Sequence, residues 1–187
     1  LHFHLGSPIF ELEPYRVAIH LVMEFAAELQ HDGLELKEFS PGGGFAIAYT
    51  ESDQPPLLTA YAGAITGALK MACKDLGITE PSLIVEPGRA MIGRAGVALY
   101  TVGTIKEVPG VRTYVAVDGG MGDNIRPALY GARYEAIVAN HATKPATEIA
   151  TIAGKYCESG DVLVWDARIA PVRPGDVIAV PVSGAYT

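Results

Sequence analysis

The segment Cys157-Glu158-Ser159-Gly160-Asp161 (the thiol segment) places a thiol and two carboxylates within a short stretch of chain. The chain has two cysteines, so this one does not belong to a disulfide framework. A free cysteine is most often a small buried hydrophobe, but the carboxylate neighbours argue against an apolar site. The pattern predicts a thiol that gives a proton beside a charged substrate.

Five more polar motifs accompany the thiol segment. Consecutive glycines bring backbone N–H groups close to an anion, although a bare triplet is also a common flexible turn. A glutamate and an arginine around Pro-Gly form either a surface ion pair or a site for a charged ligand. The motifs are His4-Leu5-Gly6-Ser7, Gly42-Gly43-Gly44-Phe45, Glu86-Pro87-Gly88-Arg89, Arg126-Pro127-Ala128-Leu129-Tyr130 and Gly184-Ala185-Tyr186.

Composition and charge exclude several classes of function. With 187 residues, 49% of them hydrophobic and 19% charged, the chain fits one or two compact domains. Its net charge of -7 and the lack of a lysine–arginine cluster argue against nucleic acid as a partner. No apolar run approaches the roughly 18 residues of a membrane span. No third ligand accompanies His2 and His4, so no metal site is predicted, and no Gly-x-Ser-x-Gly elbow indicates a serine hydrolase.

The first half of the chain alternates predicted strands and helices. Strands are predicted at residues 1–5, 34–39 and 82–85, and helices at 13–29 and 57–76. This order is typical of a parallel sheet or an (α/β) barrel, whose active sites lie where strands end, as three of the polar motifs do. The apolar side chains recur every four residues in both helices: Val17, Leu21, Phe25 and Leu29 in the first, and Tyr61, Ile65, Leu69 and Cys73 in the second.

The second half is rich in short β segments. They are predicted at 97–108, 113–118, 134–138, 147–153, 161–166 and 176–182, with turns at Pro109-Gly110 and Pro174-Gly175-Asp176. No long helical pattern recurs there. We therefore predict two domains: a partial (β/α) barrel at 1–96 and a β-sandwich or β-barrel at 97–187.

The six motifs, in this order and spacing, resemble those of the C-terminal part of the diaminopimelate decarboxylases over nearly the whole chain. The resemblance implies an alanine racemase-like (β/α)8 barrel followed by a β domain, with pyridoxal 5'-phosphate as the cofactor. It implies decarboxylation of meso-2,6-diaminopimelate to L-lysine and carbon dioxide. It also implies a homodimer with a shared active site, and the two cysteines suit a reducing cytoplasm.

For the cofactor, the resemblance assigns residues to the ring and to the phosphate. His4 would stack on the ring. Glu86 would face the pyridine nitrogen and keep it protonated, since an opposite charge favours the charged form. The other cofactor-binding residues that the resemblance implies are Ser7, Gly43, Gly44, Pro87, Gly88, Arg89 and Tyr186.

For the substrate, the resemblance implies that Cys157 protonates the α-carbon after carbon dioxide leaves. Glu158 would recognise the distal ammonium group. An arginine suits the distal carboxylate of diaminopimelate, because a guanidinium binds a carboxylate through a forked pair of hydrogen bonds. The remaining substrate-binding residues implied are Arg89, Arg126, Tyr130 and Tyr186.

Two features indicate a fragment of a longer enzyme. The first residues already have the pattern of a strand without a start methionine, and none of the six lysines lies in a motif that would bear the cofactor as a Schiff base. We therefore expect the 187-residue chain alone to be inactive. Two alternatives stay open: a related ornithine, arginine or carboxynorspermidine decarboxylase of the same fold, and a non-catalytic binding relative.

Overall fold

The structure is a computed structural model that describes residues 1–187 and divides into two compact units. Unit 1 comprises residues 1–48 and 54–91, and unit 2 comprises residues 49–53 and 92–187. The predicted order, an α/β part followed by a β part, is confirmed. Neither long helix is apolar enough over its length to cross a membrane.

Unit 1 contains short parallel strands, as an (α/β) barrel requires. Strand β1 (Glu38–Phe39) pairs in parallel with β2 (Ser82–Leu83). Two isolated parallel bridges, His2 to Ser40 and Ile9 to Phe45, bring the start of the chain beside the segment that follows β1. Two of the three strands predicted for this half are therefore present, each with two residues, and the strand predicted at 1–5 is reduced to the single bridge at His2.

Two helices cover these strands. Helix α1 (Glu13–His31) has Pro14 in its first turn, and α2 (Leu58–Leu76) ends at Gly77 in a left-handed conformation with φ +67°. The face predicted for α2 is confirmed, because its four apolar residues are all buried. The buried side chains of the two helices and the strands form one core: Tyr15, Ile19, Met23, Ala26, Leu36, Phe39, Phe45, Tyr61, Ile65, Leu69, Ala72, Cys73 and Ile78.

The packing face of α1 differs from the predicted one. Val17, Leu21 and Phe25 are each more than half exposed, whereas Tyr15, Ile19 and Met23 are fully buried. Both rows have a spacing of four residues, and they are offset by two positions, which is about 200° around a helix. Since α1 is apolar on two opposite faces, its periodicity alone does not decide which face enters the core.

Unit 2 is built on one six-stranded sheet in the order β5-β8-β3-β4-β6-β7. All neighbours pair antiparallel except β4 and β6, which are parallel. The most deeply buried side chains of its core include Val102, Val115, Ile152 and Ile178, each at most 2% exposed. The strands are β3 (Val97–Val108), β4 (Arg112–Val117), β5 (Ile137–Val138), β6 (Glu148–Ala153), β7 (Val162–Ile169) and β8 (Val177–Pro181).

Short helices complete the chain. Helix α3 (Gly88–Ile92) continues into a 3₁₀ turn, Gly93–Ala95, and a second 3₁₀ turn covers Ala139–His141. Helix α4 (Arg126–Tyr130) begins with Pro127 in its first turn and ends at Gly131. The sequence predicted neither α-helix, because five residues are too few to show a helical period.

The last residues of unit 2 return to the start of β3 through a contact between two glycines. A Cβ on Gly184 would lie 2.0 Å from the carbonyl oxygen of Ile92 and 2.8 Å from the amide nitrogen of Gly96. The Gly184 N–H donates to the carbonyl oxygen of Gly93 at 3.0 Å. Every neighbour is backbone, so no side-chain rotation can make room there.

We therefore expect Gly184→Ala to lower the free energy of unfolding by about 1–3 kcal/mol, the usual range for overpacking. Gly103→Ala is the matched control: it lies in β3 of the same sheet, and its added methyl group would meet only the Ala116 carbonyl oxygen at 3.8 Å. Urea unfolding of the two variants measures the difference. Equal midpoints would show that the Gly184 backbone can move away.

Candidate active site

The glycine turn (residues 42–44) follows β1 and touches the backbone at Glu86. Gly42 and Gly44 have φ values of +73° and +91°, which favour glycine. A Cβ on Gly43 would lie 2.0 Å from the Glu86 carbonyl oxygen, and the Glu86 N–H donates to the Gly42 carbonyl at 3.0 Å. The polar motifs at the ends of two neighbouring strands are therefore joined by direct backbone contact.

Tyr15 supports the glycine turn from α1. Its hydroxyl donates to the Gly43 carbonyl oxygen at 2.6 Å, and the residue is fully buried. Burial, followed by the neighbouring Tyr61 hydroxyl, raises the pKa of Tyr15 to about 12, so the hydroxyl stays a neutral donor at physiological pH. The sequence analysis missed this residue, since an aromatic side chain in a first helical turn gives no signal beyond core packing.

His4 lies beside the same turn. The Gly43 N–H donates to His4 Nδ1 at 3.3 Å, so this nitrogen is the acceptor and Nε2 carries the hydrogen of the neutral ring. The contact fixes the edge of an exposed imidazole against the glycine turn. Ser7, further along the same loop, is exposed.

The Glu86 carboxylate is held by two side chains. His2 Nε2 lies 3.0 Å from Glu86 Oε1, and the Ser40 hydroxyl donates to the same oxygen at 3.3 Å. Oε2 makes neither contact. His2 had no predicted role, although its alternation with His4 placed both imidazoles on one side of the strand.

Arg89 lies in α3 immediately after the Glu86-Pro87-Gly88 turn, where the Gly88 N–H donates to the Glu86 carbonyl at 2.9 Å. The arginine is 7% exposed, an unusual burial for a permanent cation. The glycine turn, a buried guanidinium and a carboxylate thus lie in one unit. Backbone amides and a guanidinium are donors that suit a phosphate, and a carboxylate suits a protonated ring nitrogen, so these residues fit pyridoxal phosphate.

The thiol segment lies in unit 2, in the loop between β6 and β7. Cys157 is exposed and free. The Glu158 carboxylate accepts hydrogen bonds from the Gly160 N–H at 3.2 Å and from the Ser159 hydroxyl at 3.1 Å. These donors, the Gly160 N–H first, lower the pKa of Glu158. A thiol and an ionised carboxylate are therefore presented together on the surface of this unit.

Helix α4 carries the predicted substrate-binding pair. Arg126 is 8% exposed; its Nη1 donates to the Tyr134 hydroxyl at 2.7 Å, and its guanidinium carbon lies 4.8 Å from the centre of the Tyr49 ring. Tyr130, at the other end of the helix, is 73% exposed. A Cβ on Gly160 would lie 3.8 Å from Ala128 Cβ, so the thiol segment lies against α4.

Tyr186 lies beyond the packed Gly184. It is 62% exposed and has a φ of +62°, in the left-handed region that residues with a side chain seldom adopt. Its predicted contacts with cofactor and substrate stay predictions. Apart from Ser7 and Tyr186, the candidate residues thus form two clusters, one around the glycine turn in unit 1 and one around the thiol segment in unit 2.

One family model and several known proteins are similar to this chain. The family model described as pyridoxal-dependent decarboxylase, C-terminal sheet domain, matches residues 19–184. The diaminopimelate decarboxylase of Bacillus subtilis (strain 168) is 46% identical over 187 residues, which is 100% of this chain and 43% of that protein. The chain therefore spans less than half the length of this relative.

Two crystal structures have a similar fold. Diaminopimelate decarboxylase from M. jannaschii, in co-complex with L-lysine, has a TM-score of 0.88 and 37% identity over 99% of this chain and 42% of that chain. The Helicobacter pylori enzyme complexed with L-lysine has a TM-score of 0.83 and 34% identity over 99% of this chain and 43% of that one. The similarity includes both units.

The Tyr15 hydroxyl provides a test of the glycine turn. We expect Tyr15→Phe to lower the free energy of unfolding by about 1–3 kcal/mol, because it leaves the buried Gly43 carbonyl without its donor. Tyr130→Phe, at an exposed position, is the control. Urea unfolding measures both. Since the raised pKa keeps Tyr15 protonated, the difference should be constant from neutral pH up to about pH 10 and fall above it.

Proposed function

The chain belongs to the pyridoxal-dependent decarboxylases, and we propose that the whole protein decarboxylates meso-2,6-diaminopimelate to L-lysine and carbon dioxide in lysine biosynthesis. The observation that carries the proposal is the backbone contact between the glycine turn and Glu86, which supports a cofactor site where a phosphate-binding turn lies beside a carboxylate. The two similar structures with L-lysine, the product of this reaction, support the choice of substrate.

When bound, pyridoxal phosphate supplies an electron sink for the charge that remains on the α-carbon after carbon dioxide leaves. In this proposal, Gly43 and Gly44 form the turn that holds the phosphate, with the Gly44 N–H as its backbone donor because the Gly43 N–H donates to His4. The buried Arg89 adds a permanent positive charge. Ser7 and Tyr186 are further phosphate donors, and Pro87 and Gly88 shape the turn. His4 places its imidazole on the ring, and the Gly43 N–H fixes the orientation of that imidazole.

Glu86 keeps the ring nitrogen protonated in this proposal. His2 and Ser40 both contact Oε1, so the carboxylate is oriented before any ligand arrives. A carboxylate that is already oriented loses little conformational entropy when the cofactor binds.

Unit 2 supplies the groups for the substrate. Cys157 gives a proton to the α-carbon, Glu158 binds the distal ammonium group, and Arg126 with Tyr130 binds the distal carboxylate. The hydrogen bonds from Gly160 and Ser159 support the role of Glu158, because they keep its carboxylate ionised. The stacking of Arg126 over Tyr49 supports its role, since it orients the guanidinium without neutralising it.

The assembly and location are also part of the proposal. A homodimer with a shared active site suits the exposed position of Cys157, and both cysteines are free, as a reducing cytoplasm requires. The lysine that carries the cofactor would lie in the part of the relatives' length that this chain does not span. The chain alone should therefore show no turnover.

The role of Cys157 is tested in the full-length enzyme. We expect Cys157→Ala to lose most of kcat, on the order of a hundred-fold or more, because general acid catalysis contributes that much. The visible absorbance of the bound cofactor should not change, since the cofactor-binding residues are intact. Cys73→Ala, which removes the buried thiol of unit 1, is the control and should keep normal turnover. Normal turnover in Cys157→Ala would remove this thiol from the mechanism.

The substrate is tested by a panel of diaminopimelate, lysine, ornithine and arginine. We expect Glu158→Gln to lower kcat/KM for diaminopimelate by about ten- to a hundred-fold, the value of a hydrogen bond to a charged group. Because its pKa is lowered, Glu158 stays ionised as the pH falls, so the preference should persist down to about pH 5. Glu148→Gln, an exposed carboxylate at the start of β6, is the control.

A preference for ornithine or arginine in this panel would favour the related decarboxylases, and a full-length protein without visible cofactor absorbance would favour a binding relative.

A further inference from the structure

Asp161, the last residue of the thiol segment, is the one carboxylate that is buried in this chain, with 4% exposure. Burial of a charged group is unfavourable unless hydrogen bonds replace the lost water. Two backbone donors do so at short distances: the Met121 N–H donates to Oδ1 at 2.6 Å, and the Tyr156 N–H donates to Oδ2 at 2.7 Å. The carboxylate thus joins two loops that are 35 residues apart in sequence.

The backbone of Asp161 closes the loop that contains Cys157. The Gly154 N–H donates to the Asp161 carbonyl at 2.9 Å, and the Asp161 N–H donates to the Glu158 carbonyl at 3.0 Å. The Lys155 N–H donates to the Gly119 carbonyl at 3.0 Å, so the loop that contains Cys157 packs against a second turn, at residues 118–122. Both neighbours of Cys157 are therefore bonded to Asp161: Tyr156 to its side chain and Glu158 to its backbone.

Two glycines leave the space that the carboxylate fills. A Cβ on Gly154 would lie 2.2 Å from both oxygens of Asp161, and one on Gly120 would lie 2.6 Å from Oδ1. No larger residue could occupy either position while the carboxylate stays where it is. The loop and the turn are thus shaped around one buried anion.

We propose that Asp161 is a positioning residue that fixes the thiol of Cys157 by tying the thiol segment to the turn at 118–122. The inference rests on the proposed function, in which Cys157 delivers a proton to the substrate. Asp161 itself touches no reacting atom. It determines where the proton donor lies, and a displacement of about 1 Å at a reacting group can cost a hundred-fold in rate.

The test uses Asp161→Asn in the full-length enzyme. The amide has the size of the carboxylate but offers one oxygen and an NH₂ group, so one of the two N–H donors faces another donor. We expect faster hydrogen–deuterium exchange in the segments that contain Met121 and Tyr156. We also expect kcat to fall by about ten- to a hundred-fold with little change in KM or in cofactor absorbance. Asp176→Asn, which removes a carboxylate that caps the Arg173 N–H in a distant turn, is the matched control.

A double-mutant cycle separates positioning from general destabilisation. If Asp161 acts through the thiol, Asp161→Asn should cause no further loss of kcat in a Cys157→Ala background. An equal loss in both backgrounds would overturn the inference, and so would unchanged exchange at Met121 and Tyr156. The exchange measurement needs no turnover. It therefore tests whether Asp161 orders the loop, independently of the proposed reaction. The proposed reaction is tested separately, because normal turnover in Cys157→Ala alone would contradict it.

Discussion

In both units a glycine meets a neighbouring group so closely that no Cβ fits there, and both clusters of candidate residues lie beside such a contact. A Cβ on Gly43 would lie 2.0 Å from the carbonyl oxygen of Glu86, and one on Gly154 would lie 2.2 Å from the Asp161 carboxylate. At the Gly43 contact the opposing atom is backbone, and at Gly154 it is a buried carboxylate held by two hydrogen bonds, so neither can yield easily. The first contact lies beside the Glu86 carboxylate in unit 1, and in the proposed mechanism the second positions the Cys157 thiol in unit 2.

The polar groups buried at these contacts have partners of the matching kind. Tyr15 remains protonated because burial raises its pKa to about 12, so it can donate to the Gly43 carbonyl. Asp161 is an acceptor instead of a donor: its carboxylate accepts hydrogen bonds from the backbone N–H groups of Met121 and Tyr156. A neutral donor and an acceptor thus stabilise the two loops, and loss of either group leaves a backbone atom without its hydrogen-bond partner.

Local periodicity predicts the regular elements of this chain well and the contacts poorly. Strand β3 has the predicted bounds, and α2 begins within one residue of its predicted start. The buried face of α1 was not predictable, because apolar rows run along two opposite sides of that helix. The roles of Tyr15 and His2 were missed for a different reason: their partners lie 28 or more positions away, and no local pattern reports a hydrogen bond across that distance. Asp161 was noted as part of the thiol segment, but its bond to Met121, 40 positions away, was not predictable either.

The thiol segment contains two carboxylates whose surroundings differ in burial. Glu158 is exposed, and its hydrogen bonds from Gly160 and Ser159 lower its pKa while leaving the carboxylate open to a cation. Asp161, three residues further on, is enclosed, and two backbone donors occupy its oxygens. A ligand charge can therefore be met by the first carboxylate but not by the second. Since Cys157 lies in the loop that the second one closes, the proposed mechanism divides binding and positioning between two acids that the sequence presents as equivalent.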